Sequence, residues 1–228
     1  MKKTHAFTLA EVLITLVIIG IVAAITVPTI MANSNEQAVR SALRKNYSVL
    51  QQAAERYYAD NGEHLSMSTN FSEDFFFKYF NIAKNCTIDG CDFGQDIKYK
   101  NYGGFEMDEY SGIGDRSGIM LADGTFISYL YQDIYYGEDK YVTTTTRERG
   151  LTVLIDVNGL KKPNTYGRDL FKFDIVLENG DGSSGLSKVR PGGAEGDPQT
   201  EEKWCKPGYN HDTNGAGCTA KMLKDKSR

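Results

Sequence analysis

The chain has few of the residues that build metal and catalytic centres. Of 228 residues, three are histidine (His5, His64, His211), widely scattered, and four are cysteine. Neither Cys86 with Cys91 nor Cys205 with Cys218 has the C-x2-C spacing of a structural zinc site, so a zinc centre is not expected. No grouping of Ser, His and Asp stands out as a nucleophilic constellation, and the expectation is a protein that is not an enzyme. The run Gly112-Ile113-Gly114-Asp115-Arg116-Ser117-Gly118 has glycines like those of a phosphate loop, but its spacing is wrong and no helix pattern follows. An excess of positive charge is missing too. Apart from two lysines and one glutamate, all 26 basic and 30 acidic residues lie beyond residue 32, leaving that part acidic by five charges. A nucleic-acid partner is therefore not expected. Most telling, residues 12–32 contain no charge of either sign.

A helix over that run rises 1.5 Å per residue and spans roughly 30 Å, about one hydrocarbon core. At its start sits Glu11, where an ionised carboxylate costs on the order of 2.5–3.5 kcal/mol if deeply buried. Such an acid is a functional-site candidate. Ahead of it, Lys2 and Lys3 satisfy the positive-inside bias and imply an N-in, C-out single pass. An ordinary secretory signal has a shorter apolar stretch with a small-residue cleavage site after it. Here the run is too long and continues into an amphipathic helix, which fits a leader removed before the apolar stretch.

Lys2-Lys3, Ala6 and then Phe7-Thr8-Leu9-Ala10-Glu11 ahead of an apolar helix resemble the class III signal of type IV pilins and type II secretion pseudopilins. The resemblance implies an inner-membrane precursor in which residues 1–6 are a leader cut between Ala6 and Phe7 by a prepilin peptidase, which then N-methylates Phe7. Most members of that family carry glycine before the cut; this chain has Ala6, still a small residue. The resemblance also implies that Glu11 pairs with a Phe7 terminal amine, reducing the cost of burying both charges. Gly20 and Pro28 fall where the family has a helix glycine and a helix proline. Pro28 lacks an N–H and is expected to kink or loosen the helix near Ala24. Glycine and proline are also common in membrane helices generally.

The remaining residues, 33–228, suffice for one globular domain on the periplasmic or extracellular side. All four cysteines lie there, so two disulfides are expected; three connectivities are possible, and proximity favours Cys86–Cys91 and Cys205–Cys218. Val39, Ala42, Leu43, Tyr47, Leu50, Ala53, Ala54 and Tyr57 recur at helical steps, extending the first helix to a stop at Asn61-Gly62. Two helices broken at Asn33-Ser34-Asn35 are the alternative. A second helix is expected over 72–83, started by Ser72. Three or four antiparallel strands follow: 118–121 and 125–131 around an Asp123-Gly124 turn, 151–157, and an alternating 171–177. Tyr129, Tyr131, Tyr135 and Tyr136 read as half-buried strand packing rather than an adhesive surface. Residues 180–199 read as a mobile surface loop and 221–228 as a frayed tail. The fold class is α+β, a long N-terminal helix on a small antiparallel sheet, which is also the pilin arrangement.

The stretch from Asp156 to Asp169 resembles the D-x-N-G…P-N-x-x-G-x-D loop of pseudopilins and minor pilins. Asn158-Gly159 turns, Pro163 stiffens, Asn164 closes an Asx turn and Gly167 permits positive φ. Asp156, Asn158, Asn164 and Asp169 offer hard oxygen ligands, and some family members bind calcium through such loops, but no full D-x-D-x-D-G series is present, so a purely structural loop is favoured.

Together these features imply a membrane-anchored precursor whose mature form assembles through its N-terminal helix into a type IV pilus or type II secretion pseudopilus. Its partners would be other subunits, the prepilin peptidase, the inner-membrane assembly platform and lipid. A minor pilin with an adhesive or DNA-uptake role, and a simple membrane-anchored periplasmic domain, are the alternatives.

Overall fold

The computed structural model describes residues 8–66, 69–86, 98–107, 118–136, 146–159, 161–176, 188–194, 201–211 and 213–225. Packing divides the chain into two units, Met1–Ala38 and Val39–Arg228. Helix α1, Leu9–Asn61, is assigned without a break through Asn33-Ser34-Asn35 and through Pro28. It ends where the sequence places its stop: the Gly62 N–H reaches Tyr58 O at 2.9 Å, and Gly62 has φ of +72°. A residue with a Cβ adopts that left-handed conformation at a cost.

The expected helix over 72–83 is shorter and begins earlier. A π-helical turn, Phe71–Phe76, leads into a brief α2, Phe77–Tyr79. The cap is Asn70, whose side chain accepts from Glu73 N, and not Ser72. The Ser72 hydroxyl bonds instead to the Tyr129 hydroxyl at 2.6 Å. Phe80 is extended and buried, and Ala83 belongs to strand β1, Ile82–Asn85. Adjacent Phe75 and Phe76 are both fully buried, Phe76 stacked 4.4 Å from Tyr129 and Phe75 edge-on to Tyr57.

Among the described residues the sheet has six strands in the order β1-β2-β3-β4-β5-β6, every neighbour antiparallel. The others are β2 Gly118–Leu121, β3 Phe126–Tyr136, β4 Thr146–Asp156, β5 Leu170–Val176 and β6 Lys188–Pro191. Two more strands are present than the sequence pattern implies, β1 and β6. The second lies inside the stretch read as a surface loop, so that reading is corrected for residues 188–191. Gly124, with φ of +88°, makes the β2–β3 turn at Asp123-Gly124.

Register explains the core. Ile127, Ile155 and Phe171 lie side by side on one face, as do Tyr129, Val153 and Phe173. That face meets the second half of α1, where Leu43, Leu50, Ala53, Ala54 and Tyr57 are buried and Tyr47 stacks on Phe173 at 5.6 Å. Tyr129 is buried packing as expected; the side chains of Tyr131, Tyr135 and Tyr136 lie outside the described residues. The opposite face is covered as well. Phe126, Leu154 and Leu170 form a second cluster with Tyr99, Tyr166 and Ala216 from loops. Every residue of β5 is consequently buried, including Lys172, which pairs with Asp174 at 3.0 Å while Thr152 donates to the same carboxylate at 2.7 Å. A buried lysine needs such a partner.

The C-terminal segment is anchored as far as Asp225, which corrects the frayed-tail reading. Short α3, Glu201–Trp204, and α4, Cys218–Lys224, are joined by the Cys205–Cys218 disulfide. Arg44 donates to Asp225 O at 2.9 Å, and Arg40 donates to the carbonyls of Met222 and Asp225. Residues 226–228 lie outside the described part.

Candidate functional site

Two places hold the residues singled out by sequence, and they are built differently. The first is the start of α1. Ala6 and Phe7 lie outside the described residues. Immediately after them, Thr8 and Glu11 form a reciprocal cap: Thr8 N and Thr8 Oγ1 donate to Glu11 Oε2 at 2.8 and 2.7 Å, and Glu11 N donates to Thr8 Oγ1 at 3.3 Å. Thr8 O accepts the first helical bond, from Val12 N. Thr8-Leu9-Ala10-Glu11 is thus a capping box, a role for Thr8 that the sequence reading missed although a T-x-x-E before an apolar run is its signature. Among the described residues all the bonds to the carboxylate use Oε2, so the cap fixes the side chain at the helix end.

Along unit Met1–Ala38 every large apolar side chain from Leu9 to Met31 is between 46% and 80% exposed. This part of α1 is long and apolar enough to cross a membrane. A Cβ at Gly20 would meet nothing within 4 Å. Glycine in a helix interior costs roughly 1 kcal/mol relative to alanine, and no contact among the described residues requires Gly20. Near Pro28 two hydroxyls bond back to carbonyls of the preceding turn, Thr26 to Val22 O at 2.9 Å and Thr29 to Ile25 O at 3.2 Å.

The second place is the β4–β5 loop, which brings Asp156, Asn158, Asn164 and Asp169 together. Asp156 and Asp169 are both fully buried. Asp156 takes the Tyr99 hydroxyl on Oδ2 at 3.0 Å and Asn158 N on Oδ1 at 3.2 Å. Asp169 takes Asn164 N on Oδ2 at 2.7 Å and Thr165 N on Oδ1 at 2.6 Å, with Asn158 Nδ2 at 3.4 Å from Oδ2. These bonds account for the loop as a closed structure. The Lys162–Pro163 peptide is cis, and Asn164 has φ of +49°. Lys100 N and O bond to Asn164 O and Tyr166 N, pinning the loop to residues 98–107.

Two features are left over. Among the described residues no cationic side chain bonds to either carboxylate, and Asn158 Oδ1 and Asn164 Oδ1 are buried without a donor. Burial, with the charge of Asp169 adding to it, pushes the Asp156 carboxyl up to about 8, and burial raises Asp169 as well. The Tyr99 phenol is pushed up by burial and by the same carboxylate. Among the described residues no three His, Cys, Asp or Glu side chains converge, so a cation here would rely on amide oxygens too.

Of the cysteines, Cys205 and Cys218 are bonded as proximity suggests, and Cys86 is disulfide-bonded. Cys91 lies outside the described residues. Three of the four sulfurs are thereby removed as zinc ligands. Most of the glycine-rich run from Gly112 also lies outside the described residues; its last residue, Gly118, begins β2.

An apolar anchor helix with a capped acid in its first turn, continuing into a helix packed on an antiparallel sheet, is the α+β, pilin-like class of architecture. Residues 1–27 match the prokaryotic N-terminal methylation motif, the hallmark of the prepilin-type signal of type IV pilins and pseudopilins. The chain therefore carries a prepilin-type N-terminus and a membrane anchor. Comparison with curated proteins and with solved structures finds no match.

Proposed function

We propose that the protein is a structural subunit, a pilin or pseudopilin, that is cut between Ala6 and Phe7 by a prepilin peptidase and N-methylated on Phe7. It resides in the inner membrane, N-in and C-out, until an assembly platform extracts it, and it then packs with other subunits through residues 7–32. Its work is assembly, with no catalysis by the chain. The observation that supports this most strongly is the first part of α1 itself: its apolar side chains from Leu9 to Met31 are exposed, a Cβ at Gly20 would meet nothing within 4 Å, and among the described residues Glu11 is held by Thr8 through Oε2 alone.

In lipid the apolar side chains are already satisfied, so the helix gains from assembly only by close packing and polar pairing. Gly20 permits close backbone approach, and Glu11 offers an anion to the Phe7 ammonium of a neighbour. N-methylation keeps that ammonium charged. The test is Glu11→Ala in the native host: membrane insertion is expected to stay intact and assembled filaments to be lost or disordered. Normal filaments from that variant would contradict the register role.

A further inference from the structure

We infer that the globular unit docks head to tail on a second copy of this chain, the acidic, aromatic-bearing surface at the Asn61 end of α1 receiving the basic surface at the Val39 end of the neighbour. The inference rests on the assembly reading and names a contact for it; its contacting surfaces belong to unit Val39–Arg228.

The exposed charges of this unit are sorted along α1. At the Val39 end, Arg40 and Arg44 donate to carbonyls at the end of α4, which brings Lys221 and Lys224 to the same place. Lys45 pairs with Asp123 of the β2–β3 turn. That turn lies against the β4–β5 loop, since a Cβ on Gly159 would come within 2.4 Å of Gly124 O. Lys161 and Lys162, just past Gly159, are exposed. Among the described residues the exposed acids in contact with this group are Asp123 and Asp225, and each already faces a cation, Lys45 and Arg40. Cations outnumber acids here seven to two, and still seven to three with Glu36, four residues before Arg40 in the other unit.

The Asn61 end has the opposite sign. Asp60 and Glu63 stand at the end of α1, and Glu73 and Asp74 in the turn Phe71–Phe76. Tyr79 ties the two together, its hydroxyl donating to Asp60 at 2.9 Å, and Lys78 feels the charges of both Asp60 and Asp74. With Glu55 and Arg56 one turn earlier included, described acids outnumber cations five to two. Two large apolar side chains are exposed at this end as well: Tyr58 at 47%, stacked on His64 at 4.2 Å, and Phe77 at 37%. Elsewhere in the described part of the unit only Phe105 and Tyr209 are as open. Rings beside carboxylates suit Arg and Lys, which stack on the one and pair with the other.

Joining two chains by the same end would set acid against acid or cation against cation. Joining them head to tail sets unlike charges together, and because the contact uses two different surfaces it repeats without closing. From Arg44 to Asp60 the helix rises roughly 24 Å, the offset between neighbouring units that such a contact calls for. Exposed ion pairs contribute little singly, so these surfaces select direction and register while the anchor part of α1 supplies the adhesion.

The test is cross-linking of the full-length protein by a water-soluble carbodiimide, in native membranes and in detergent at low salt with heavy- and light-nitrogen chains mixed. The reagent joins a lysine amine to a carboxyl group as an amide and takes up the water lost as a urea, so no spacer extends its reach. Mixed-isotope links from Lys221 or Lys224 to Asp60, Glu63 or Asp74 are expected, at least fivefold fewer in about 0.5 M salt. Glu63→Lys with Asp74→Lys, and separately Lys162→Glu with Lys224→Glu, should keep the parental Tm and weaken self-association in sedimentation at least tenfold. All four reversals together should restore it. Absence of end-to-end links in both preparations would overturn the contact, and filaments formed all the same would leave the assembly reading standing. Links in detergent from a protein that forms no filament in its host would support the contact and remove the assembly reading instead. Self-association unchanged in both double variants, or not restored by the fourfold one, would also overturn the contact.

Discussion

Glu11 caps the helix in the structure, and one substitution separates that role from the proposed pairing with an ammonium. As the N3 residue of a capping box it needs only an acceptor oxygen, which glutamine also supplies; as the partner of an ammonium it needs a charge. Glu11→Gln is therefore expected to leave the helix start and membrane insertion unchanged and to reduce the amount of sheared filament nearly as far as Glu11→Ala does. If Glu11→Gln assembles normally, capping alone explains the residue. Thr8→Ala is expected to weaken the helix start by about 1 kcal/mol and Thr8→Ser to restore it, read as recovered filament yield. The Thr8 role was legible in the sequence as a T-x-x-E signature, yet a costly acid in an apolar run draws attention to charge before it draws attention to capping.

Asp156 gives a pH dependence whose sign follows from its burial. Its folded pKa, about 8, lies above the ordinary carboxylate value, so the folded state holds a proton that the unfolded state has lost in between. Stability contributed by this group is full below the unfolded value near 4 and declines as pH rises toward 8. With EDTA present, the parent is expected to melt at a lower temperature at pH 8 than at pH 5, and Asp156→Asn to flatten that difference. A parent that is equally stable at both values would show that Asp156 ionises without penalty.

At the scale of elements, long-period patterns were readable and short or non-periodic ones were not. The second half of α1 announces itself by apolar residues at three- and four-residue steps, and the same residues meet the sheet. Strands β2 to β5 carry turns or alternation. By contrast Lys188-Val189-Arg190-Pro191 has one apolar side chain and a proline, and it is a strand because the edge of β5 pairs with it. In β5 the alternation predicts one wet face, whereas Lys172 and Asp174 on that side are buried under loops distant in sequence. Nothing local to residues 171–177 signals that cover.

The β4–β5 loop and the C-terminal staple are packed as one body. Gly167 has φ of +81°, and a Cβ there would lie 2.7 Å from Cys218 Sγ. Gly167→Ala should therefore destabilise the protein by about 1–3 kcal/mol, through backbone strain and the clash together, read as a lowered Tm. Replacing Cys205 and Cys218 by serine is expected to cost about 2–3 kcal/mol on the loop-entropy model. Tm values unchanged in both variants would show that this end of the molecule contributes little to stability.

For the molecule as a whole, the buried residues of α1 begin at Leu43, and the apolar residues before Val39 contribute no buried side chain. A chain lacking residues 1–32 is expected to fold cooperatively with both short-range cysteine pairs oxidised and to remain in solution without detergent. Aggregation or loss of cooperative unfolding would mean that the anchor helix is part of the folding unit. The N-terminal signal was readable because its meaning is chemical and positional, with two lysines, a small residue, Phe7, Glu11 and an uncharged span. The β4–β5 loop was readable only as a set of oxygen-bearing residues. Its buried, donorless amides depend on how β4, β5 and residues 98–107 close around them.

The most direct measurement is the intact mass and N-terminal sequence of the protein taken from native membranes. A chain beginning at N-methylated Phe7 is the expected result and establishes prepilin processing as the route to assembly. A chain beginning at Met1 would contradict it and leave a simple membrane anchor, and a cut beyond Ala32 would mean export of the head without the helix on which assembly depends.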